Sequence, residues 1–414
     1  MTQPKRRVVI IGGNFAGLVA ASRLSRDHEV TVVDVRAEFE WTPNIHEILS
    51  GVKSREGVVL SRERCIRRYG HHFLQDRVSG IDHQRNVVLT EGGAHLCYDA
   101  CLVAAGSDRT TAGVEGADRH AQGFRWVDDA VKTAERLDRL ARRKRPASVV
   151  IVGGGVTGVE VLGEILRRRR SGDDFKVHLV EAERRLLPGQ SEGLARDAIQ
   201  RMAPHGVTLH KGLTVREVGP RSVVLADGSK LSADLCIWSA GMKLPDFLSG
   251  SRLNPDGLDW LPVDESLRSR HADNIFVAGD CAALPQPARK QAFNAIDMGA
   301  VAGDNIERLF RSRPLKRFRA APTPLLISFG DLTTWLDAGV FGLASPALAA
   351  AKEAVYQVNM ARFASPREPL RYSAGVADRA VTATRRLLLP QLLPSRLCEG
   401  VTGFRVIPGT AGSG

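Results

Sequence analysis

Apolar runs and glycine turns recur along this chain in a fixed order. Residues 8–11 are apolar, residues 12–17 form a glycine-rich turn, and residues 18–24 have helical spacing before a second apolar run that ends at Asp34. The same order returns over residues 149–181, again ending in an acid. Each copy predicts strand, turn, helix and strand, which is a βαβ unit. Two copies predict an α/β protein with two Rossmann-like dinucleotide-binding domains.

The rest of the chain alternates between short strands and helices. Pro220 and the pair Asp227-Gly228 interrupt apolar runs that predict hairpin strands. The other predicted elements are a short helix over 57–68, strands over 73–90, a buried strand over 274–278, and helices over 126–143, 290–310 and 345–363, the last starting at Ser345-Pro346. The glycines and serines past about residue 405 predict a disordered tail.

The two glycine turns have the residues that a dinucleotide requires. The first glycine makes the tight bend, the second lets the backbone approach a pyrophosphate, and the third lets helix and strand pack closely. The phosphate then lies at the helix N-terminus, and the acid at the end of the next strand accepts hydrogen bonds from a ribose diol. Asp34 follows Gly12 by 22 residues and Glu181 follows Gly153 by 28, against a usual spacing of about 20. Two dinucleotide sites are therefore predicted.

Asn14 stands at the second glycine position of the first turn. Asparagine tolerates unusual backbone angles better than most residues, so the turn is retained. We expect its side chain to point away from the phosphate.

The composition is that of an ordinary folded protein, with 43% apolar and 25% charged residues in 414. That length predicts about two or three domains. A formal charge of +12 raises the question of nucleic acid or an anionic membrane as partner. The basic runs 142–145 and 167–170 each precede a helix breaker, and cations are favourable in the last turn of a helix. No aromatic residues interleave with them, so nucleic acid is not the expected partner.

The six cysteines form neither a C-x-x-C pair nor a metal-ligand pattern with histidine, so no metal site is predicted. Cys97 and Cys101 lie too far apart along a strand to form a disulfide. Residues 5–7 are basic but precede only four apolar residues, and the uncharged run 338–351 is too short to cross a bilayer. These features favour a reduced, cytoplasmic protein.

Five further segments carry motifs of a known flavoprotein family. They are residues 41–44, residues 98–107 with Ala105 in place of the threonine of an A-T-G-type turn, residues 158–160, residues 233–241 with a W-x-A-G-like end, and residues 274–280. On these motifs the chain resembles the FAD-dependent pyridine nucleotide-disulfide oxidoreductases, which have a glutathione-reductase-like fold. Within that family it looks most like type II NADH dehydrogenases and related NADH:quinone oxidoreductases. The resemblance runs from residue 8 to about residue 362.

The resemblance implies a discontinuous FAD domain over 1–112 and 265–325, an NAD(P)H domain over 113–264, and a C-terminal region over 326–414. On the FAD side, the turns and the resemblance together assign Gly12, Gly13, Asn14, Phe15, Ala16, Gly17, Asp34, Val35, Arg36, Thr42, Pro43, Asn44, Val78, Ala105, Gly106, Gly279 and Asp280. On the NAD(P)H side they assign Gly153, Gly155, Val156, Thr157, Gly158, Glu181 and Gly241. The resemblance gives Asp280 the ribityl hydroxyl and places residues 41–44 against the isoalloxazine.

The nucleotide donor is expected to be NADH. Glu181 favours a ribose with free hydroxyls, because a carboxylate repels a 2′-phosphate. Arg184 and Arg185 follow closely and could bind such a phosphate, so NADPH stays open.

Thiol chemistry is not expected. No cysteine precedes Cys65, no C-x-x-x-x-C redox pair occurs, and none lies between Cys101 and Cys236, where sulfide:quinone oxidoreductases need them. The cysteines are better interpreted as small buried apolar residues.

The resemblance makes Glu160, Phe293 and Asp297 the candidate catalytic residues. The family places a glutamate such as Glu160 beside nicotinamide and flavin. In residues 292–299 both glutamines of the A-Q-x-A-x-Q-x-G helix of quinone-reducing members are replaced, by Phe293 and Asp297. An aromatic ring could stack on a planar acceptor and a carboxylate could exchange protons. Simple helix packing with one solvated acid is an equal alternative.

Three functions follow from the resemblance. In the first, NADH reduces FAD, and electrons pass to a quinone or a quinone-like aromatic. In the second, reduced flavin reacts with oxygen and acts on a secondary metabolite, or it passes electrons to a small redox protein. The third, from another class, is an NADH-sensing flavoprotein of the apoptosis-inducing-factor kind, whose reduction changes its assembly.

The C-terminal part from residue 329 resembles the family's membrane-facing helices. The apolar segment 387–394, with Arg385, Arg386 and Arg396 beside it, could lie on the inner face of a membrane as a peripheral contact. Its two prolines weaken a continuous helix. The alternative is that it packs on the FAD domain or on a second subunit of a homodimer.

Overall fold

The structure is a computed structural model that describes residues 5–321, 324–339, 341–364 and 405–408. Its strands are β1 Arg7–Ile11, β2 Glu29–Asp34, β3 Glu38–Glu40, β4 Val59–Ser61, β5 His72–Gln75, β6 Val78–Asp82, β7 Val87–Thr90, β8 His95–Cys97, β9 Ala100–Val103, β10 Asp108–Arg109, β11 Ala121–Gly123, β12 Ala147–Val152, β13 Phe175–Glu181, β14 Thr208–Lys211, β15 Val215–Val218, β16 Ser222–Leu225, β17 Lys230–Ser232, β18 Leu235–Trp238, β19 Met242–Lys243, β20 Leu261–Pro262, β21 Ile275–Val277, β22 Ala282–Ala283, β23 Leu325–Phe329, β24 Thr333–Asp337, β25 Phe341–Ser345 and β26 Arg405–Pro408.

The helices alternate with these strands. The α-helices are α1 Phe15–Ala21, α2 Arg62–Arg67, α3 Ala117–His120, α4 Val127–Ala141, α5 Val156–Arg170, α6 Glu192–Met202, α7 Asp246–Ser249, α8 Ala292–Phe310 and α9 Leu348–Phe363. The 3₁₀ helices are Thr42–Ser50, Arg55–Gly57 and Ala203–His205. None of the helices in the described part of the chain is long and apolar enough to cross a membrane.

The first of two compact units contains Met1–Glu40, Val59–Asp108 and Met242–Ala321. Its main sheet is parallel, with strand order β21-β9-β1-β2-β5. The last four residues of β1 are all buried, as expected for a strand covered on both faces. Helix α8 packs on α1 at two glycines, and a Cβ atom at Gly299 would lie 2.2 Å from the carbonyl oxygen of Ala16. The glycine kept in the A-x-x-A-x-x-x-G pattern therefore serves this close packing.

The second unit contains Trp41–Val58, Arg109–Gly241 and Pro322–Gly414. Its parallel sheet has the order β11-β18-β12-β13-β14, and two antiparallel sheets, β15-β16-β17 and β23-β24-β25-β26, accompany it. Helix α5 packs on β23 so closely that a Cβ atom at Gly163 would lie 2.3 Å from the backbone nitrogen of Gly330. This packing ties the C-terminal sheet to the helix that follows the second glycine turn.

The predicted fold class is confirmed, because both βαβ units are present in parallel sheets. The domain boundaries drawn from the resemblance stay a prediction. Those boundaries divide the chain by the cofactor that each segment is expected to bind, whereas the compact units group Trp41–Val58 with the second glycine turn. The segment 387–394 and the arginines beside it lie outside the described residues.

Three local predictions were wrong. The part from residue 329 does not open with the expected helices: it forms β24 and β25, which pair in an antiparallel sheet, and α9 follows them. Residues 57–68 do not form one helix: Val59–Ser61 is a strand, because Leu60 pairs with buried Phe39 of β3, and the Ser61 side chain caps α2. The tail is ordered at Arg405–Pro408, which forms the edge strand β26. Ile407 is buried there, and the Arg405 guanidinium lies 3.2 Å from the Asp197 carboxylate.

Most arginines of the two basic runs form ion pairs or hydrogen bonds within the protein. In the run that ends α5, Arg167 pairs with Glu164, Arg168 with Asp138 and Asp173, Arg170 with Asp331, and Arg169 donates to the carbonyl of His205. After α4, Arg143 and Arg145 both lie 2.8 Å from Asp234. These contacts give the arginines a structural role.

Candidate dinucleotide-binding sites

The first glycine turn leaves no room for side chains. A Cβ atom at Gly12, where φ is +93°, would lie 2.3 Å from the carbonyl oxygen of Ala104. One at Gly17 would lie 1.8 Å from the carbonyl oxygen of Gly12. The Gly13 N–H donates to Oδ2 of Asp34 at 2.8 Å. Turn, helix and acid are thus held as one piece.

Asn14 is bonded to the backbone of Glu40. Its Nδ2 donates to the carbonyl of Glu40 at 3.3 Å, and its Oδ1 accepts the N–H of Glu40 at 3.2 Å. The side chain does not cap α1. This pair of bonds accounts for asparagine at a glycine position.

Arg62 lies beneath the turn and was missed by the sequence analysis. Its side chain is 1% exposed, and its guanidinium lies 2.7 Å from Oδ1 of Asp34. It also donates to the carbonyl oxygen of Gly13 at 2.9 Å and to that of Arg36. Several arginines occur in residues 62–68, and nothing in the sequence separates this one from its exposed neighbours.

Neighbouring strands of the first sheet bring the other FAD-side segments to one edge. Strands β21, β9, β1 and β2 are adjacent and parallel, so the residues at and just after their carboxyl ends share that edge. These residues are Gly279 and Asp280, Ala105 and Gly106, Gly12 to Gly17, and Asp34 to Arg36. Val78, at the start of β6, belongs to the same unit and is buried.

Asp280 is positioned by two side chains. Ser107 Oγ donates to Oδ2 of Asp280 at 3.1 Å, and Lys290 Nζ donates to its carbonyl oxygen. Lys290 Nζ also lies 3.6 Å from the centre of the Trp260 ring, and burial lowers the pKa of this lysine. The acid assigned to the ribityl chain is therefore held in a defined place.

The two acceptor-side candidates differ in exposure. Phe293 is half-buried in the first turn of α8, whereas Asp297 one turn later is exposed. Between them, Asn294 donates to the carbonyl of Arg289 at 2.7 Å. Both candidates belong to the first unit, and their roles stay predictions.

The second glycine turn repeats the backbone design of the first. Gly153 has φ of +105°, and a Cβ atom at Gly158 would lie 1.8 Å from its carbonyl oxygen. The Gly154 N–H donates to Oε2 of Glu181 at 2.6 Å, and the Glu183 N–H donates to Oε1 at 2.8 Å. Glu181 is thus fixed by the turn before it and the loop after it.

Nothing in the described protein requires position 155 to be a glycine. Gly155 has a negative φ of −72°, and a Cβ atom there would meet no described atom within 4 Å. It stands at the N-cap of the 15-residue helix α5, whose first N–H groups favour an anion. A pyrophosphate approaching the backbone would occupy that open space. The residues present therefore fit a dinucleotide.

The arginines after Glu181 are not equivalent. The Arg185 guanidinium donates to the carbonyl oxygens of Gln190 at 2.8 Å and Pro188 at 2.6 Å, so its own loop holds it. Arg184 is exposed. Thr157 is exposed and Val156 half-buried at the start of α5, and Gly241, with φ of +75°, follows β18.

Glu160 lies in a buried cluster of charged side chains in the second unit. Its Oε1 accepts hydrogen bonds from Lys352 Nζ at 2.5 Å and from the Ser328 N–H at 3.2 Å. Its Oε2 lies 3.5 Å from His46 Nδ1. Burial raises the pKa of Glu160, and Lys352 opposes that rise. Burial and then Lys352 lower the pKa of His46 well below 6.5, so this imidazole is neutral.

A second buried acid lies one turn further along α5. Glu164 is fully buried, and Ser50 Oγ donates to its Oε2. Arg167 Nε lies 3.2 Å from the same oxygen, close enough for an ion pair but not aligned for a hydrogen bond. Burial raises the pKa of Glu164 to about 7. Its Oε1 has no hydrogen-bond partner among the described residues.

His46 and Lys352 were missed by the sequence analysis. Lys352 is 192 residues from Glu160, and its only signal is a charge that follows the uncharged run 338–351. The residues assigned to the isoalloxazine, Thr42, Pro43 and Asn44, begin the 3₁₀ helix that also carries His46. Asn44 accepts from Trp41 Nε1 at 2.9 Å. These three residues belong to the second unit, and their place at the flavin stays a prediction.

A family model described as pyridine nucleotide-disulphide oxidoreductase matches residues 6–299, which is well over half of the chain. The chain belongs to this family. Both glycine turns, the acids tied to them and the Gly279-Asp280 segment fall inside the matched range. The family predicted from the sequence is thereby confirmed, and the protein is an oxidoreductase.

This oxidoreductase is similar to two curated relatives named type II NADH:quinone oxidoreductase. The Haemophilus influenzae protein is 28% identical over 385 residues, covering 79% of this chain and 86% of the relative. A Staphylococcus aureus protein is 27% identical over 370 residues, covering 80% and 89%. The similarity therefore extends over most of both chains.

Solved structures agree on the fold of the oxidoreductase. NDH2 from Plasmodium falciparum in complex with NADH superposes with a TM-score of 0.80 at 17% identity, covering 92% of this chain and 98% of that one. The sulfide:quinone oxidoreductase from Aquifex aeolicus gives 0.75 at 17% identity, covering 86% and 91%. At these identities the likeness establishes the fold alone.

The four buried cysteines among the described residues are unsuited to thiol exchange, whereas Cys97 is exposed, contrary to the expectation that all are buried. The five in the described residues are free, and all but Cys97 are buried. Burial raises the pKa of Cys236 to about 12 and that of Cys281 to about 11, so both thiols are protonated at neutral pH. Because the thiolate is the reactive form, these positions have the character of apolar core residues.

Proposed function

We propose that this protein oxidises NADH with a bound FAD and passes the electrons to a quinone. The observation that supports this most is the pair of glycine turns, each locked to an acid, in a chain whose curated relatives at 79–80% coverage are named type II NADH:quinone oxidoreductases. The overall change would be NADH, a quinone and one proton giving NAD⁺ and a quinol. Bound FAD supplies the two-electron redox centre of that reaction.

The residues of the first unit would hold FAD. The turn from Gly12 to Gly17 would take its pyrophosphate, Asp34 its adenosine ribose, and Asp280 its ribityl chain, with Ser107 fixing the Asp280 carboxylate. The backbone at Gly279, where φ is +83°, turns the chain sharply at this point. Ala105 and Gly106 lie on the same sheet edge.

The residues of the second unit would hold NADH. Gly155 leaves space for the pyrophosphate at the start of α5, and Glu181 would accept the ribose hydroxyls. A carboxylate there disfavours the 2′-phosphate of NADPH, and Arg185 is already bonded to its own loop. NADH is therefore the proposed donor.

Glu160 would handle the proton that the quinol needs beyond the hydride of NADH. Its raised pKa lets the carboxyl carry a proton nearer neutral pH than an ordinary glutamate, and Lys352 at 2.5 Å holds the group in place. The neutral His46 beside Oε2 can exchange a proton with it. Phe293 and Asp297 are proposed for the acceptor side, as a stacking surface and a solvent-linked acid.

We also propose a cytoplasmic protein whose C-terminal region makes a peripheral contact with an anionic membrane surface, where quinones dissolve. The alternative occupant of that region is a second subunit. Cosedimentation with vesicles of anionic or neutral lipid, beside sedimentation velocity of the protein alone, distinguishes these two outcomes.

The test of the central proposal is an anaerobic titration followed by turnover. The purified protein should show a flavin spectrum that NADH bleaches and that a ubiquinone or menaquinone analogue restores, with NADPH a poorer donor. Reoxidation by oxygen but not by quinone would favour the oxygenase alternative. A long-lived reduced complex whose size changes would favour the NADH-sensing alternative. A colourless protein that takes up no flavin would overturn the proposal altogether.

A further inference from the structure

Arg62 is a buried cation that the proposed function leaves unused. It is the first residue of α2, and its guanidinium contacts Asp34, the acid that ends β2, as well as the carbonyl of the first turn and the carbonyl of Arg36. We propose that Arg62 positions Asp34 and the turn for the adenosine half of FAD, and thereby makes this site retain FAD rather than FMN. This inference rests on the assignment of FAD to the first turn.

The second turn shows what the site would be without this arginine. Glu181 accepts two backbone N–H groups in the same way as Asp34, which accepts from Gly13 and from Arg36 at 2.9 Å. The space beneath the turn is filled there by Leu186, whose Cδ1 would lie 2.6 Å from a Cβ at Gly154. Beneath Gly13 the corresponding distance, also 2.6 Å, is to Cδ of Arg62. An apolar side chain therefore suffices for packing at this position.

A buried ion pair needs a reason beyond packing. Replacing such a pair by apolar groups of similar volume is often neutral or even stabilising, because burying both charges costs desolvation. Burial lowers the pKa of Arg62, while Asp34 and Glu40 raise it. The guanidinium stays charged and contacts three acceptors. We therefore expect its main effect to be on a ligand that binds to the groups it holds in place.

The ligand chemistry follows from which groups Arg62 fixes. Asp34 stands where the ribose of an adenosine binds, and the Gly13 carbonyl belongs to the turn that meets the pyrophosphate. Arg62 also neutralises the Asp34 carboxylate beside an anionic pyrophosphate, which reduces repulsion. FMN has neither the second phosphate nor the adenosine. An effect through Asp34 should therefore weaken FAD and leave FMN unchanged.

The experiment compares flavin release from the full-length protein loaded with FAD or with FMN. R62K keeps the charge but loses the planar fork that reaches several acceptors, and R62M removes the charge but keeps the packing stem. R67M is the matched control, because Arg67 is exposed on the same helix and pairs only with Glu63 among the described residues. Flavin fluorescence after dilution gives the release rates.

Both Arg62 variants should release FAD at least about tenfold faster than wild type and R67M. FMN release should stay within about twofold, and NADH binding at the second turn should not change. Equal acceleration for both flavins would show a merely structural role, and no acceleration would show no role; either overturns the inference. If R62M fails to fold, R62K and D34N carry the test, and D34N should show the same FAD-selective loss. Wild type that binds no flavin would instead refute the proposed function.

Discussion

The two glycine turns share one hydrogen-bond design and differ in what surrounds it. In each, the residue after the first glycine donates to the acid that ends the next strand, Gly13 to Asp34 and Gly154 to Glu181. In each, the last glycine has no room for a side chain. The differences lie at the middle position and beneath the turn. Asn14 and Arg62 occupy these places in the first turn, and Gly155 and Leu186 occupy them in the second.

This difference matches two kinds of occupant. The first turn is tied by side chains to Glu40, Asp34 and Arg36, so its shape is set before any ligand arrives. Preorganisation of this kind favours a cofactor that stays bound. The second turn has an open glycine and an apolar support, which suits a substrate that must leave after every turnover. The motif recognises a dinucleotide, and residues outside it set how long the dinucleotide stays.

The largest expected effect comes from a methyl group at the shared crowded position. Gly17→Ala should abolish FAD retention and soluble holoenzyme, because the main chain at Gly12 would have to move. Gly158→Ala should keep FAD and abolish bleaching by NADH, because the same clash occurs at Gly153 in the second turn. Bound flavin and anaerobic NADH titration measure the two losses. Loss of bound FAD in Gly158→Ala, or full retention of FAD in Gly17→Ala, would contradict the division of labour.

The sequence was sufficient for the features that depend on local pattern. Both βαβ units and their acids follow from β-branched runs, glycine spacing and strand ends within about thirty residues, and helices α4 and α8 end close to their predicted limits. The helix predicted over residues 57–68 was wrong because strand pairing of Leu60 with Phe39 overrides the helical pattern. Arg62 was not predicted because nothing in the sequence separates it from the exposed arginines that follow it. His46 and Lys352 were not predicted because their partner Glu160 lies far away in the chain, and a single sequence carries no record of such contacts.

The helices that follow the two turns also differ. Helix α1 is wholly buried and has no charged residue, whereas α5 has two buried acids, Glu160 and Glu164. Glu164 is protonated in the folded protein up to a pKa of about 7, against an ordinary value of 4.5. A raised pKa contributes stability that is full below about pH 4.5 and is lost as pH rises through 7. The wild type should lose about 3 kcal/mol relative to Glu164→Gln across that window. Urea denaturation of both proteins at several pH values measures this; parallel pH curves would contradict it.

Glu160 has Val19 as its counterpart in α1, two residues after the last glycine of the turn. Glu160→Gln should lower turnover with quinone about 100-fold, because the proton-carrying carboxyl is gone. Wild-type turnover should fall as pH rises through the raised pKa of Glu160, and the variant should lack that limb. FAD content should not change. Glu192→Gln, an exposed acid on α6, is the control, and an unchanged pH profile in Glu160→Gln would exclude this role.

The smallest and most selective effect is expected at Gly155. Because a Cβ there meets no described atom and φ is −72°, Gly155→Ala should leave the free energy of unfolding within about 0.5 kcal/mol of wild type. The added methyl would instead meet the pyrophosphate, so the KM for NADH should rise about tenfold or more, with FAD content unchanged. Gly189→Ala is the matched control, since its Cβ would also lie in open space but outside the turn. A stability loss without a change in KM would mean that Gly155 serves the fold, and the contrast between a locked and an open turn would then rest on Arg62 alone.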